Sequence, residues 1–370
     1  MNRIDDAFIL TPTGFVHGAL RQAEGRIVAI EGDAVDEAQV RAGGRPIVLP
    51  GFIDLHVHGG GGRDTMEGGD ALHRIAQVHA RHGTTSMLAT TMTAPMEEIE
   101  AALQALAPHC AQRGPGAARV LGVHLEGPYI NPGKLGAQPD FAREATLDEV
   151  LALHRIAPLR LVTIAPELPG HLALIVALRG AGFRVQIGHT LGSYEDGVAA
   201  LEAGASGFTH LFNAMSALHH RAPGMVGAAL AHAERAEIIP DLLHVHPGAI
   251  RAALRAIPQL YCVTDSTAAA GMPDGEYRLG RHRVTKCLGG VRLADGTLAG
   301  STLTMDAALR NLVGLGLSLA EASMRTSTHA ARHIGAADRG ELRAGAWADA
   351  VVLSPDLQVQ QVWVEGEPVR

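Results

Sequence analysis

The sequence predicts an α/β fold, a (β/α)8 barrel of the TIM type with a small β-sandwich domain built from both chain termini. Eight short β-branched or apolar runs recur along the middle of the chain, and amphipathic segments separate most of them, which predicts alternating strands and helices. The two ends carry short alternating runs bounded by turn residues, which predict antiparallel strands. We therefore expect residues 1–47 and 345–370 to form the small domain and residues 48–344 to form the barrel.

The composition supplies the apolar material that a barrel of this size needs. Hydrophobic residues make up 47% of the 370 residues and charged residues 19%, which excludes disordered and fibrous classes. The longest clean apolar run, residues 172–178, is far shorter than the roughly 20 residues that cross a bilayer. The net charge of −7 argues against a nucleic-acid or anionic-membrane partner. Three widely spaced cysteines and an N-terminal segment without a signal-peptide apolar core indicate a cytoplasmic protein.

Each predicted barrel strand is a run that ends near a polar residue. The eight runs are residues 48–58, 84–91, 120–129, 161–167, 185–190, 207–213, 237–244 and 260–265. Amphipathic segments at residues 71–82, 96–107, 146–156 and 193–203 predict four of the helices between them. Thr146 with Glu149 forms a capping-box pattern and Ser193 is a second N-cap candidate, while glycines at 83, 182 and 204 mark helix ends.

A closed barrel brings the carboxyl ends of its strands together, so the polar residues that end these runs are expected to converge. An open doubly wound sheet, the alternative architecture, would place them along a crevice. The strand-end residues are His56, His58, Thr91, Glu126, Glu167, His189, His210, His244 and Asp265.

Five of these residues predict a divalent-metal site. His56 and His58 are two residues apart on a strand and share one face, and converging neutral imidazoles bind metal ions. Glu126 closes a strongly apolar strand, where an unpartnered carboxylate would be costly, and His189 and His210 each end a further strand. Solvated histidines and a buried ion pair are the alternatives when each motif is taken alone. Together the five residues favour a metal.

Asp265 is the one carboxylate at the end of the eighth run. In a hydrolytic metal site, a carboxylate at this place acts as the general acid–base group. We therefore predict a catalytic role for Asp265.

Short motifs run through the chain in a recognisable order: PGFIDLHVH at 50–58, HLEGPYINP at 124–132, GHT at 188–190, THLFNAM at 209–215, RAPG at 221–224, TD at 264–265, LAGS at 298–301 and GAWADA at 345–350. In these motifs the sequence resembles the amidohydrolase superfamily and, within it, the N-acetylglucosamine-6-phosphate deacetylase family. The resemblance implies hydrolysis of N-acetyl-D-glucosamine 6-phosphate to D-glucosamine 6-phosphate and acetate, in amino-sugar catabolism. The galactosamine epimer, another small amide as substrate, and a catalytically silent sugar-phosphate-binding protein are the alternatives.

The resemblance also implies roles for individual residues. Glu126, His189 and His210 match the ligands of the main metal, usually zinc, and His56 and His58 match those of a second ion that some members hold. Asp265 matches the catalytic acid–base group. The implied contacts to the amino-sugar phosphate are Ala137, Gln138, Asn213, Ala214, Arg221, Asp241, His244, Leu298, Ala299 and Gly300.

Two further implications concern assembly and metal number. Arg221 and His244 match residues that form a site at a dimer interface, so a homodimer is expected. The chain's two lysines, Lys134 and Lys286, end no predicted strand, which leaves Glu126 to bridge two ions. Gln138 stands where single-metal members have a histidine, which favours a second ion, and Leu242 stands where glycine is expected.

Overall fold

β-Strands occur both in the terminal segments and in the middle of the chain. The structure, a computed structural model, describes residues 2–369. Its strands are β1 (Asn2–Thr11), β2 (Gly14–Ala23), β3 (Arg26–Val35), β4 (Ile47–Pro50), β5 (Phe52–Val57), β6 (Gly59–Gly60), β7 (Arg63–Asp64), β8 (Thr84–Thr90), β9 (Arg119–Glu126), β10 (Leu159–Ile164), β11 (Arg184–Ile187), β12 (Gly207–Phe208), β13 (Arg235–Ile238), β14 (Gln259–Cys262), β15 (Gly275–Leu279), β16 (His282–Cys287), β17 (Gly290–Arg292), β18 (Ala350–Leu353), β19 (Val359–Val364) and β20 (Glu367–Pro368).

Helices follow most of the barrel strands. They are α1 (Glu37–Ala42), α2 (Ala71–Arg81), α3 (Met96–Ala111), α4 (Leu147–Ile156), α5 (His171–Gly180), α6 (Tyr194–Ala203), α7 (Gly224–His232), α8 (Pro247–Ala256), α9 (Met305–Gly314), α10 (Leu319–Ser323) and α11 (His329–Ile334), with 3-10 turns at Thr65–Glu67 and Pro132–Lys134 and a π-helix at Met324–Thr328. The predicted caps are present, since Thr146 accepts from the Glu149 backbone N–H and Ser193 begins α6 with a full capping box. α6 ends at Ala203 and is capped by Gly204, whose φ of +110° suits glycine.

Eight parallel strands form the predicted barrel. Strands β5, β8, β9, β10, β11 and β12 are neighbours in one sheet, and β13 pairs with β14. Backbone hydrogen bonds join these two groups, because Leu211 N donates to Glu237 O and Asp265 N donates to His56 O, each at 2.9 Å. These strands are buried on both faces, as expected of parallel strands enclosed by helices.

The first predicted run, residues 48–58, divides into two strands at Gly51. β4 lies in the terminal sheet, between β1 and β18, and β5 begins the barrel. A side chain at Gly51 would clash with Thr85, since its Cβ would lie 2.2 Å from Cγ2, so only glycine permits this close approach. The predicted boundary at 47/48 therefore falls inside a strand, and the division into two domains stays a prediction.

The two termini pair with each other in a seven-stranded sheet of order β20-β19-β18-β4-β1-β2-β3. The backbone of Ile27, on β3, also hydrogen-bonds Gly345 and Ala346 just before β18, so the sheet curls over itself. Its enclosed apolar cluster includes Leu20 and Trp363. The structure therefore shows one sheet built from both chain termini, which is consistent with the predicted small β domain.

A three-stranded antiparallel sheet, β15–β17, follows the eighth barrel strand and was not predicted. It packs through Leu279, Val284 and Val291 against Met92 beside the mouth of the barrel. Among residues 2–369, no helix is long and apolar enough to span a membrane.

Candidate active site

Seven of the nine predicted strand-end residues converge at one mouth of the barrel, whereas Thr91 and Glu167 do not. Six of the seven line a cavity of about 400 Å³, and the buried His56 lies behind its wall against His58. This volume lies within the range of small-molecule sites. His189, His210 and Asp265 have φ values of +49°, +29° and +49°, in the left-handed region that residues other than glycine rarely adopt. Such backbone strain concentrates at functional sites. The ionisable residues that line the cavity are His58, Glu126, Lys134, His189, His210, His244 and Asp265.

Glu126 lies at the centre of the cluster, and each of its carboxylate oxygens faces a different pair of imidazoles. Oε1 is 3.1 Å from His189 Nε2 and 3.0 Å from His210 Nε2. Oε2 is 3.0 Å from His58 Nε2 and 3.3 Å from His56 Nε2. Glu126 is 1% exposed, so its carboxylate is largely shielded from bulk water although it borders the cavity.

The hydrogen bonds on the far side of two rings assign their tautomers. His189 Nδ1 is 2.8 Å from the carbonyl oxygen of Lys134, and His56 Nδ1 is 3.0 Å from Glu237 Oε2. Because those oxygens only accept, each Nδ1 carries the proton in the neutral ring and each Nε2 directs a lone pair at Glu126. Lone pairs facing carboxylate oxygens repel each other unless a cation lies between them.

The spacing of these atoms suits a metal ion. The Nε2 atoms of His189 and His210 are 3.1 Å apart, and so are those of His56 and His58. Ligands about 2.0–2.1 Å from a tetrahedral zinc ion lie about 3.3 Å from each other. Nitrogen and carboxylate donors are also the set that zinc prefers. The residues therefore fit a divalent ion in each half of the cluster.

The electrostatics of the cluster also favour positive charge. Burial lowers the pKa of His56, but the carboxylates of Glu126, Asp265 and Glu237 raise it more, so its pKa lies well above the ordinary value. Burial raises the pKa of Glu126, but the charge of His56 and the hydrogen bonds that protonated rings of His189 and His210 donate bring it well below the ordinary value. A bound cation supplies the same compensation.

Asp265 also faces the imidazoles of His56 and His58. Its Oδ1 is 3.4 Å from His58 Nε2 and 3.6 Å from His56 Nε2, and the residue is 9% exposed. Gly300 packs against its backbone, where a Cβ would lie 2.8 Å from Asp265 O and 2.6 Å from Thr267 Cγ2. Asp265 is therefore held at the cavity wall within reach of a bound substrate.

Gln138 is held by contacts within the protein on both sides of its amide. Its Oε1 accepts from the Thr93 backbone N–H, and its Nε2 donates to Glu126 Oε2, both at 2.7 Å. The residue lines the cavity, yet its polar atoms orient Glu126. The sequence predicted a substrate contact and did not indicate this support of the central carboxylate.

The predicted substrate contacts divide into three groups. Seven of them line the cavity, namely Ala137, Gln138, Asn213, Ala214, His244, Leu298 and Gly300. Asp241 and Ala299 lie behind this wall, where Asp241 Oδ2 accepts from His244 Nδ1 at 2.6 Å and Ala299 is buried. Arg221 is exposed and lies outside the cavity, with its guanidinium 2.7 Å from His220 Nε2. In the described part of this one chain, Arg221 is therefore not brought to the site.

The loop after β13 carries both Leu242 and His244. Leu242 has a φ of +66°, which is the conformation that a glycine at this position would adopt without strain. The loop nevertheless places His244 at the cavity. Burial lowers the pKa of His244, but the hydrogen bond to Asp241 raises it above the ordinary value, which favours the charged ring.

The sequence did not single out a polar layer beneath the metal cluster. His124 hydrogen-bonds the carbonyl of Leu55 and the hydroxyl of Thr163, so both of its nitrogens are occupied and burial lowers its pKa well below the ordinary value. Glu237 bonds His56 in the same layer. The available signal was a charged residue between buried apolar neighbours, as at Glu237 between Ala236 and Ile238 in β13.

Fold and site together define a barrel hydrolase with a centre suited to divalent metal. The Amidohydrolase family profile matches residues 47–369, so the chain belongs to the amidohydrolase family.

Individual relatives extend over nearly the whole chain. The chain is 44% identical to the N-acetylgalactosamine-6-phosphate deacetylase of Escherichia coli O157:H7, over 97% of both chains. It is 38% identical to the N-acetylglucosamine-6-phosphate deacetylase of Vibrio furnissii, over 93% of this chain and 88% of the relative. A mutant of N-acetyl-D-glucosamine-6-phosphate deacetylase from Mycobacterium smegmatis, solved in complex with N-acetyl-D-glucosamine-6-phosphate, has a TM-score of 0.90 at 36% identity, over 98% of both chains. The Thermotoga maritima N-acetylglucosamine-6-phosphate deacetylase also has a TM-score of 0.90, at 31% identity over 100% of this chain and 99% of that chain.

Proposed function

We propose that this protein hydrolyses the acetamido group of N-acetyl-D-glucosamine 6-phosphate, giving D-glucosamine 6-phosphate and acetate. The observation that carries the proposal is the placement of Glu126, with one oxygen toward each pair of imidazoles and Asp265 3.4 Å from the nearer ring. Amide hydrolysis needs a metal and an acid–base group at one place, and these residues are suited to supply both. Relatives at 36–38% identity carry this activity in their names, which supports the substrate class.

We further propose zinc as the metal, with two sites per chain. Glu126, His189 and His210 would hold one ion, and His56 and His58 would hold the other with Glu126 bridging. Bound ions of this kind polarise an amide carbonyl and lower the pKa of water to about 7.

Asp265 moves the proton in the proposed reaction. Its carboxylate accepts a proton from the attacking water and then donates it to the amide nitrogen. The C–N bond breaks as the nitrogen gains that proton, so the neutral amine leaves together with acetic acid, whose remaining proton passes to the amine or to solvent to give acetate.

The polar wall of the cavity is proposed to bind the sugar phosphate. His244 presents a ring whose charge Asp241 favours, and Lys134 is the one lysine or arginine lining the cavity among residues 2–369. A phosphate dianion prefers an arginine fork, and Arg221 is exposed and free to reach a second copy. We therefore propose a homodimer in which Arg221 of one subunit contributes to the substrate site of the other. We also propose that the protein is cytoplasmic.

The galactosamine epimer is the second candidate substrate. The specific observation in its favour is the 44% identity to the Escherichia coli N-acetylgalactosamine-6-phosphate deacetylase. The two sugars differ only in the orientation of one hydroxyl group, so both carry the same acetamido group.

Acetate release from the two epimers tests this proposal. The purified protein is stripped with a chelator, reloaded with Zn²⁺, and assayed with each sugar 6-phosphate and with unphosphorylated N-acetylglucosamine. We expect zinc-dependent acetate release from at least one phosphorylated sugar and little from the unphosphorylated one. Full activity of the stripped protein, or no release from either epimer after reloading, would contradict the proposal.

A further inference from the structure

Glu237 is a fully buried carboxylate directly beneath the imidazole cluster. It lies on β13, is 0% exposed, and does not line the cavity. A buried carboxylate costs several kcal/mol unless hydrogen bonds satisfy it. The hydrogen-bond partners of Glu237 indicate its role.

Both oxygens of Glu237 accept hydrogen bonds. Oε2 is 3.0 Å from His56 Nδ1 and 3.2 Å from the backbone nitrogen of His210. Oε1 is 2.7 Å from Gln186 Nε2 and 3.4 Å from the Tyr261 hydroxyl. The carboxylate therefore meets donors on both sides, which a neutral amide could not do.

Two further side chains hold Glu237 in place. The Tyr261 hydroxyl donates to Gln186 Oε1 at 2.6 Å, so the amide of Gln186 must turn its Nε2 toward Glu237. All three residues are 0% exposed. Tyr261 donates to Gln186 and Gln186 donates to Glu237, while His56 Nδ1 donates to Glu237 from the other side.

The anchoring of the four imidazoles is unequal. The backbone carbonyl of Lys134 anchors His189, and the side chain of Glu237 anchors His56. The Nδ1 atoms of His58 and His210 have no hydrogen-bond partner among residues 2–369. In the half of the cluster formed by His56 and His58, Glu237 is therefore the ring anchor.

We propose that Glu237 is a positioning residue that keeps the proton on His56 Nδ1 and so holds Nε2 available as a metal ligand. Glu237 thereby determines whether the half of the cluster formed by His56 and His58 takes up an ion. This inference rests on the two-ion part of the proposed function. Acceptors of this kind fix the orientation of metal-binding histidines and raise their basicity.

The test is a Zn²⁺ titration of metal-free protein against a chelator of known affinity, with Glu237→Gln. The glutamine keeps the size of the side chain but offers one acceptor oxygen, so its NH2 group would face donors on one side. We expect the Kd of the Zn²⁺ held by His56 and His58 to rise about 10- to 100-fold while that of the Zn²⁺ held by His189 and His210 changes less than about twofold. Far-UV circular dichroism verifies that the variant is folded.

Two other variants make the titration specific. Glu149→Gln makes the same change at a carboxylate that bonds Tyr129 and Arg143, and should leave both Kd values as in the wild type. Tyr261→Phe removes the outer hydroxyl and should weaken the second ion about 2- to 10-fold, the value of one neutral hydrogen bond. This variant decides the question if Glu237→Gln does not fold.

Three results would overturn the inference. One is wild-type affinity for both ions in Glu237→Gln, or in Tyr261→Phe if only that variant folds. Another is an equal loss at both sites, which indicates a general structural role. The third is a single Zn²⁺ per wild-type chain at saturation. The titration contains no substrate, so wild-type protein that binds two ions but releases no acetate would contradict the proposed reaction and leave the role of Glu237 intact.

Discussion

Replacement of Asp265 by asparagine is the sharpest test of the proposed chemistry. Asparagine is nearly the same size and tolerates the φ of +49° at this position, so the backbone at the cavity wall should stay in place. The amide cannot accept and return a proton at neutral pH. The change therefore removes the acid–base function and little else.

The size of the effect depends on whether another group can replace Asp265. Glu126 is the other carboxylate lining the cavity among residues 2–369, and imidazoles and Gln138 already surround its oxygens. His244 is bound to Asp241 through Nδ1. With no free substitute, we expect kcat to fall about 100- to 10,000-fold, which corresponds to about 2.7–5.4 kcal/mol of transition-state stabilisation.

The assay measures acetate release at saturating zinc, with bound metal determined on the same samples. KM and the zinc content should stay near the wild-type values, because Asp265 is proposed to act on the proton. Near-wild-type kcat would refute the assignment. A loss of one zinc ion together with the rate would show instead that Asp265 is a ligand beside His56 and His58, the group with which it could share an ion.

Further predictions concern metal, phosphate and stability. His189→Asn should weaken zinc binding more than about 100-fold and lower the rate in parallel, since even outer contacts are worth about 10- to 100-fold; unchanged zinc content would remove His189 from the ligand set. Arg221→Ala should raise KM for the phosphorylated sugar about 10- to 100-fold without affecting the unphosphorylated one, and equal losses on both would indicate a structural arginine. Burial raises the pKa of Glu365, but hydrogen bonds from Arg119 and Arg339 lower it to about 2 from an ordinary value of 4.5. The ion pairs of Glu365 therefore stabilise the fold above pH 4.5, and this stabilisation is lost as the pH falls toward 2. Glu365→Gln should therefore reduce the free energy of unfolding by about 2 kcal/mol at pH 7 and converge with the wild type in acid; a constant difference in denaturant titrations at both pH values would contradict this.

Local patterns in the sequence predicted most of the fold. The eight barrel runs were identified because a buried strand needs a short apolar run, and α4 and α6 begin at the predicted caps Thr146 and Ser193. The spacing of His56 and His58 also predicted a shared face, because side chains alternate along a strand. These features depend on neighbours in the sequence, which is why the sequence displays them.

The sequence was less informative where pairing between distant segments decides the structure. Residues 48–50 continue the apolar run of β5, yet they pair with the C-terminal strand β18 in another sheet. The strands β15–β17 lie beyond the last predicted run, and their role in covering the cavity depends on contact with Met92. Pairing partners are chosen by packing of the whole chain, which no local pattern records.

The amino-acid sequence determined the kinds of chemistry available to this protein. It contains imidazoles and carboxylates at the strand ends, two lysines, and few charges inside the strands. The tertiary structure decided which atoms face each other. It placed Gln138 on Glu126, put Glu237 behind His56, and left Arg221 outside the cavity of its own chain. The physical reason is that a hydrogen bond or a metal ligand is specified to a few tenths of an ångström, whereas residues 181 positions apart, such as His56 and Glu237, meet at that precision only when the whole barrel has closed.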